Sequence, residues 1–315
     1  MPRITDLSPL SQLLERIDAR TDGKAAVDAL STGFPSVDRI LGGGLRRGEL
    51  TVLGGDVGSG KSALALAIAL RAAAAGTRAT YATSEMPPER VHERVLAIEG
   101  RARIDDLRAG TLDERARAEL GAVALRLRDR MPDVARLAPG GVPALAERLG
   151  GRGDAPPLVV VDPLQGLAAG TRPQDEELAV AVRDLKALAL DLDAAVLLTA
   201  HLPSLASRAD MRPALDDFGA LGAPKQHADT VLALFREGMY ESARELEGAT
   251  ELIVRKRRSG GLGYADLYFY AQWLRFEDVM EPVGPGTRDE GLRTRDWGEQ
   301  RVPRDARDDT RPPSP

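Results

Sequence analysis

The stretch GDVGSGKS, Gly55 to Ser62, holds glycine, lysine and hydroxyl residues at the spacing G-x-x-x-x-G-K-S/T. It follows the apolar run LTVLG and precedes an Ala/Leu-rich segment, the strand, loop and helix order in which such a loop wraps phosphates. Glycines let backbone N–H groups converge on an anion, and the start of the following helix adds positive potential. On this reading Gly55, Asp56, Val57, Gly58, Ser59, Gly60, Lys61, Ser62 and Ala63 bind a nucleotide. Lys61 reaches its β- and γ-phosphates, and the Ser62 hydroxyl ligates Mg²⁺. The alternative, a glycine-rich turn with an incidental lysine, fits this ordered context poorly.

A metal at such a loop needs a second oxygen ligand. The segment PPLVVVD ends an apolar run on Asp162, at the C-terminal end of a buried strand, where ligands collect in open α/β sheets. Hydrolysis also needs a group to deprotonate water. Glu85 in YATSEMPPERV is the candidate, just after a strand expected to lie next to the phosphate-loop strand. Its other reading, a carboxylate favoured by a helix N-terminus beside Pro87 and Pro88, weighs equally on these residues alone. Lys256 and Arg258 in VRKRRSGG precede a glycine turn, and by themselves read as a solvated strand end. His92, His201 and His227 lack metal-ligand spacing.

Short apolar runs must carry these groups. Strands are expected at Leu50 to Gly54, Arg78 to Thr83, Val134 to Ala138, Leu158 to Asp162, Ala195 to Ala200 and Thr230 to Phe235. Helical patterns fall at 61–75, 88–99, 112–130, 141–149 and 174–193. That alternation predicts an α/β fold with a mostly parallel sheet covered on both faces. After Glu251, ELIVRKRR and YADLYFY flank the turn SGGLG, and AQWLRFEDV follows, which predicts an antiparallel hairpin or meander closing the sheet.

Three zones separate along the 315 residues. Residues 1–30 hold an amphipathic helix with Leu10, Leu13, Leu14 and Ile17 on one face and a flexible join; 31–280 hold the α/β core. From Glu281 the chain is almost all Arg, Asp, Glu, Gly and Pro, a composition expected to stay disordered. Forty-three Lys and Arg against 48 Asp and Glu leave −5, so any nucleic-acid contact must be local. Cysteine is absent, which removes thiolate catalysis, thiolate metal sites and disulfides and fits a cytoplasmic protein. The longest apolar stretch, Ala63 to Ala75, is broken by Arg71 and falls short of the roughly 20 residues of a membrane span.

The strings STGFPSVDRILGGGLRRGELTVLGGDVGSGKS, TSEMPPERVHERVLAIEG, VVVDPLQGL, VRDLKALALDL, HADTVLALFR and ELIVRKRRSGGLGYADLYFYAQWLRFEDV occur in that order. Together they resemble the ATPase domain of DnaB-type replicative DNA helicases, in the RecA-like P-loop superfamily. The resemblance covers about residues 31–280. It implies a RecA-like core that assembles into a homo-oligomeric ring, usually a hexamer, and hydrolyses ATP with Mg²⁺ between subunits. By position it makes Glu85 the catalytic glutamate, Asp162 the Walker-B aspartate and Arg94 an arginine near the adenine. Lys256 and Arg258 become the basic pair inserted into the neighbour's nucleotide site, Arg258 as arginine finger. A finger supplied in trans is worth about a thousandfold or more in rate, and makes hydrolysis depend on assembly.

Four positions depart from that pattern. His201, in LLTAHLPS, stands where the family usually has a glutamine that senses the γ-phosphate, and histidine can still donate a hydrogen bond. Gly219 and Ala220 replace an arginine and a glutamate of the loop expected to grip single-stranded DNA. Arg208 and Arg212 against Asp210, Asp216 and Asp217 leave that loop negative. Pro163 replaces a tyrosine. Only about 30 residues precede the core, resembling the linker helix without the N-terminal domain of such helicases. The expectation is therefore an ATP-dependent, ring-forming helicase or translocase on single-stranded DNA, with a regulatory or repair ATPase that does not unwind DNA as the alternative.

Overall fold

A computed structural model describes residues 8–23, 28–137, 141–150, 156–240 and 247–279. The charged segment 281–315 lies outside these residues, as does Ala138. The chain opens with α1 (Pro9–Thr21), capped by the Ser8 side chain; its apolar face, with Leu10, Leu13, Leu14 and Ile17, is exposed, and no residue of it is buried. A two-strand ribbon, β1 (Ala29–Leu30) and β2 (Leu45–Arg46), brackets α2 (Pro35–Ile40).

The main sheet begins with β3 (Leu50–Gly55), followed by α3 (Lys61–Ala74), β4 (Ala79–Thr83) and α4 (Pro88–Gly100). Next come α5 (Ile104–Ala109), α6 (Glu114–Leu127), β5 (Asp133–Arg136) and α7 (Gly141–Leu149). The chain continues through β6 (Leu158–Asp162), α8 (Gln174–Leu192), β7 (Ala195–His201), α9 (Ala223–His227) and β8 (Thr230–Phe235). It closes with β9 (Ala249–Arg257), β10 (Gly263–Tyr270) and β11 (Arg275–Asp278). The order across the sheet is β11-β10-β9-β8-β3-β7-β6-β4-β5, parallel from β8 to β5 and antiparallel from β9 outward. The expected hairpin over SGGLG is β9 and β10, and β11 is the third strand of the meander.

Burial on both faces explains the near-continuous apolar strands. Leu53, Tyr81, Leu158, Val160, Leu197 and Leu232 pack with α2, α3 and α4 on one side. Val52, Val159, Val161, Val196, Leu198 and Val231 pack with α7, α8 and Ala223 on the other. Fully burying such side chains contributes about 1.5–3 kcal/mol each.

Two expectations are corrected. The strand before Glu85, β4, is not adjacent to β3: β7 and β6 lie between them. The later strands β6 and β7 insert between β3 and β4, so strands consecutive in the sequence are not neighbours in the sheet. The helix expected over 112–130 spans only Glu114–Leu127, capped by the Asp113 side chain on the Ala116 N–H, and the short α5 precedes it.

Candidate nucleotide site

Parallel register brings the strand ends level. Gly55 at the end of β3 pairs with His201 of β7 and Leu234 of β8, and Asp162 at the end of β6 pairs with Thr83 of β4. The loop after β3 leaves the sheet here. Gly60 caps α3 with φ +100°, which a side chain would strain, and a Cβ there would lie 2.8 Å from the Phe276 ring. A Cβ on Gly55 would meet Ser59 Oγ at 2.6 Å and Leu234 O at 2.9 Å. Ser59 is buried, and its Oγ has no hydrogen-bond partner.

Lys61 is buried at the start of α3, and its Nζ donates to the Asp56 carbonyl at 2.8 Å. Burial lowers its pKa; Asp162, Asp56 and Glu85 act in the opposite direction. The Ser62 hydroxyl donates to Asp162 Oδ1 at 2.9 Å. Asp162 is fully buried and also accepts from Thr199 Oγ1 and, at 2.5 Å, from the Tyr81 hydroxyl. Burial first, then Asp162, holds the Tyr81 phenol well above its ordinary value.

Glu85 reaches this end of the sheet despite the distance of its strand. Gly166, just past β6, packs so closely on Ser84 that a Cβ would overlap the Ser84 side chain. Ser84 N–H donates to the Asp162 carbonyl. The Glu85 carboxylate then meets His201 Nε2 at 2.9 Å, while His201 Nδ1 is buried without a partner. Gln165 fixes the backbone beneath, accepting from His201 N–H at 3.0 Å and donating to its carbonyl at 3.2 Å. Arg94 lies on α4, with a buried Nε that has no partner, close enough to Tyr81 for its charge to act on the phenol.

Several neighbours of the loop are not legible from the motif. Arg236 Nη1 donates to the Gly58 carbonyl at 3.1 Å and sits over Phe269, and the Tyr240 hydroxyl donates to Asp56 at 2.9 Å. Burial first, then Asp56, pushes the Tyr240 phenol up to about 12. Thr199 had a signal: a polar residue two positions before His201 on a strand shares its face.

Lys256 and Arg258 are elsewhere. Arg257 pairs with Thr230 and Thr230 with Thr51, so Arg258 lies at the end of the sheet where β3 begins. Five residue steps separate Leu50 from Gly55, about 17 Å at strand spacing. That distance exceeds the reach of one arginine side chain. An irregularity in the β8–β9 pairing skips Arg255 and reverses side-chain parity. Leu252 and Val254 pack on the α3 side, whereas Lys256 Nζ donates to the Lys225 and Ala228 carbonyls on the α9 side.

In the segment expected to hold DNA, φ is positive at four successive residues: Gly219 (59°), Ala220 (50°), Leu221 (52°) and Gly222 (76°). Its arginines are engaged. Arg208 grips Asp217 through Nη1 and Nη2, and Arg212 grips Glu251 at 2.7 and 2.6 Å. No helix among the described residues is long and apolar enough to cross a membrane, and no cluster of three or more His, Asp or Glu there could hold a metal.

Residues 29–278 match the sequence family described as DnaB-like helicase C-terminal domain. The replicative DNA helicase DnaB of Pasteurella multocida is 29% identical over 283 residues, covering 86% of this chain and 60% of the relative. That of Leifsonia xyli is 30% identical over 291 residues, covering 89% and 63%. The chain therefore spans about three fifths of the length of these curated relatives. A solved DnaB-like replicative helicase, described with its interactions with primase, superposes with a TM-score of 0.76 at 22% identity, over 87% of this chain and 68% of the other. A solved ATPase domain gives 0.78 at 22% identity, over 87% and 100%. The fold is the RecA-like core expected from the motif order.

Proposed function

The chain belongs to the family of DnaB-like helicase C-terminal domains, and from that premise we propose that it is an ATP-hydrolysing motor of a ring-forming helicase or translocase on single-stranded DNA. The observation that carries this reading is the convergence of Lys61, Ser62, Asp162 and Glu85 at one end of the sheet, with Arg258 about 17 Å away at the other. Arg258 lies too far from the loop of its own chain to serve it, and the Arg258 of a neighbouring copy completes the site.

The loop fits a triphosphate. Ser59 offers a buried, unpartnered hydroxyl, Gly55 leaves no room for a side chain, and Lys61 needs only to turn from the Asp56 carbonyl. Ser62 Oγ and Asp162 Oδ1 are 2.9 Å apart, the separation of adjacent octahedral ligands each about 2.0–2.1 Å from Mg²⁺. Bound Mg²⁺ would neutralise phosphate charge. Glu85 accepts a proton from the attacking water, His201 fixes the carboxylate, and the neighbour's Arg258 stabilises charge on the γ-phosphate with Lys256 beside it. Arg94 is assigned to the nucleotide side of α4. A hexamer working in the cytoplasm completes the reading.

Steady-state ATPase activity with and without single-stranded DNA, across a salt series and with Lys61→Ala as the blank, tests this. Stimulation that fades with salt is the expected result. Robust hydrolysis indifferent to DNA overturns it and moves the function to the second reading, a regulatory or repair ATPase. The pairing of Arg208 and Arg212 with carboxylates, beside Gly219 and Ala220, favours that second reading.

A further inference from the structure

Asp229 stands between α9 and β8, buried, with three partner residues drawn from distant parts of the chain. Its Oδ2 accepts from the Leu50 N–H at 2.9 Å and from Lys186 Nζ of α8 at 2.7 Å; its Oδ1 accepts from Arg258 Nε at 3.0 Å. Its carbonyl accepts from the Arg258 N–H at 2.8 Å. The carboxylate is therefore neutralised and half satisfied by Lys186 and Leu50 before Arg258 is counted. Lys186 is itself fixed by the Gly48 carbonyl at 2.8 Å.

Arg258 is held differently. Its side chain is 56% exposed against 5% for Asp229, and among the described residues only its Nε is bonded. A guanidinium has a second edge with two Nη groups, the fork that matches phosphate oxygens. Capture by one atom from a buried, already neutralised acceptor fixes the direction of the side chain and leaves its charge and fork unspent. With its guanidinium more than half in solvent, Arg258 is screened on that side, and Lys186 already balances the buried carboxylate. The geometry thus serves orientation more than folding.

Resting on the proposed shared site, we infer that Asp229 is a positioning residue that aims Arg258 at the nucleotide of a neighbouring copy. Asp229 touches no substrate; it acts through the finger, and therefore on the neighbour's site and not on its own.

That directionality supplies the test. In mixed assemblies, an Arg258→Ala chain keeps an intact loop but gives no finger, and a Lys61→Ala chain gives a finger but cannot hydrolyse. Their mixture regains ATPase activity where a Lys61→Ala chain lends its finger. Adding Asp229→Asn to the Lys61→Ala chain should lower the regained rate on the order of 10- to 100-fold, the cost of a misplaced catalytic group. Adding it to the Arg258→Ala chain should leave that rate intact. Equal loss in both placements would assign Asp229 to the fold, and retained activity in both would make it dispensable; either overturns the inference. No regained activity in the parent mixture overturns the shared-site reading itself, and the inference with it.

Discussion

His201 Nε2 and Glu85 Oε1 are 2.9 Å apart although β7, which ends on His201, and β4, which ends two residues before Glu85, are separated by β6. Gln165 holds the His201 backbone at both N–H and carbonyl, and the Gly166–Ser84 contact draws the segment after β4 toward the sheet centre. The pair is thus positioned from below by β6, the strand that also ends on Asp162. His201→Ala should lower kcat by about tenfold or more, since a general base contributes about 10²–10⁴-fold and loses part of that when its carboxylate is free to turn. His201→Gln should retain most of the rate, because an amide donates the same bond. Steady-state kinetics decide, and an unchanged kcat in His201→Ala would remove histidine from the site.

Asp162 is a buried carboxylate with donors from three elements: Ser62 of α3, Tyr81 of β4 and Thr199 of β7. Removing one donor leaves charge that burial penalises. Tyr81→Phe should therefore cost about 1–3 kcal/mol in urea unfolding. Its effect on ATP affinity should be smaller than that of Ser62→Ala, because Tyr81 binds the opposite oxygen from Ser62. Equal losses of affinity in the two variants would contradict this division.

Glu177, in the first turn of α8, accepts from the Thr171 hydroxyl at 2.7 Å and from the backbone N–H groups of Gly170, Thr171 and Arg172. These bonds, the Thr171 hydroxyl first, hold its carboxyl at about 2 against an ordinary 4.5. A folded pKa below the unfolded one gives stability that is complete above about 4.5 and is lost as pH falls through about 2. Glu177→Gln should flatten the fall of the urea midpoint with pH in that window. An unaltered slope would mean that the carboxylate does not hold the loop.

How much of this could be read from residues alone depends on the range over which each feature is set. The phosphate loop is local: glycines, Lys61 and Ser62 lie between one strand and one helix, and their order fixes their geometry. Asp162 is nearly as local, since an apolar run announces the strand and the run's end announces its C-terminus. The neighbours of β4 are not local, because adjacency in a parallel sheet is set by which crossover passes which face. Nor is the Asp229 cluster: Leu50, Lys186 and Arg258 are 179, 43 and 29 positions from it, and each is unremarked where it stands in sequence. The bulge at Arg255, which turns Lys256 away from the α3 side, has no marker in a run of basic residues.

The two functional readings diverge most at the segment 203–224. Its arginines would serve a single strand only as free charges, yet Arg208 is spent on Asp217 and Arg212 on Glu251, where the bidentate bond pushes the guanidinium pKa up. If these pairs persist when DNA is present, Arg208→Ala and Arg212→Ala should leave single-strand affinity and its salt dependence unchanged. Releasing both arginines with Asp217→Asn and Glu251→Gln should instead tighten binding and steepen the slope of log K against log salt by roughly 0.7 per phosphate gained. Fluorescence anisotropy with a labelled oligonucleotide over a salt series measures both quantities. Weakened binding in the single alanine variants would mean that DNA displaces the carboxylates, so that the pairs close a channel that opens when a strand arrives.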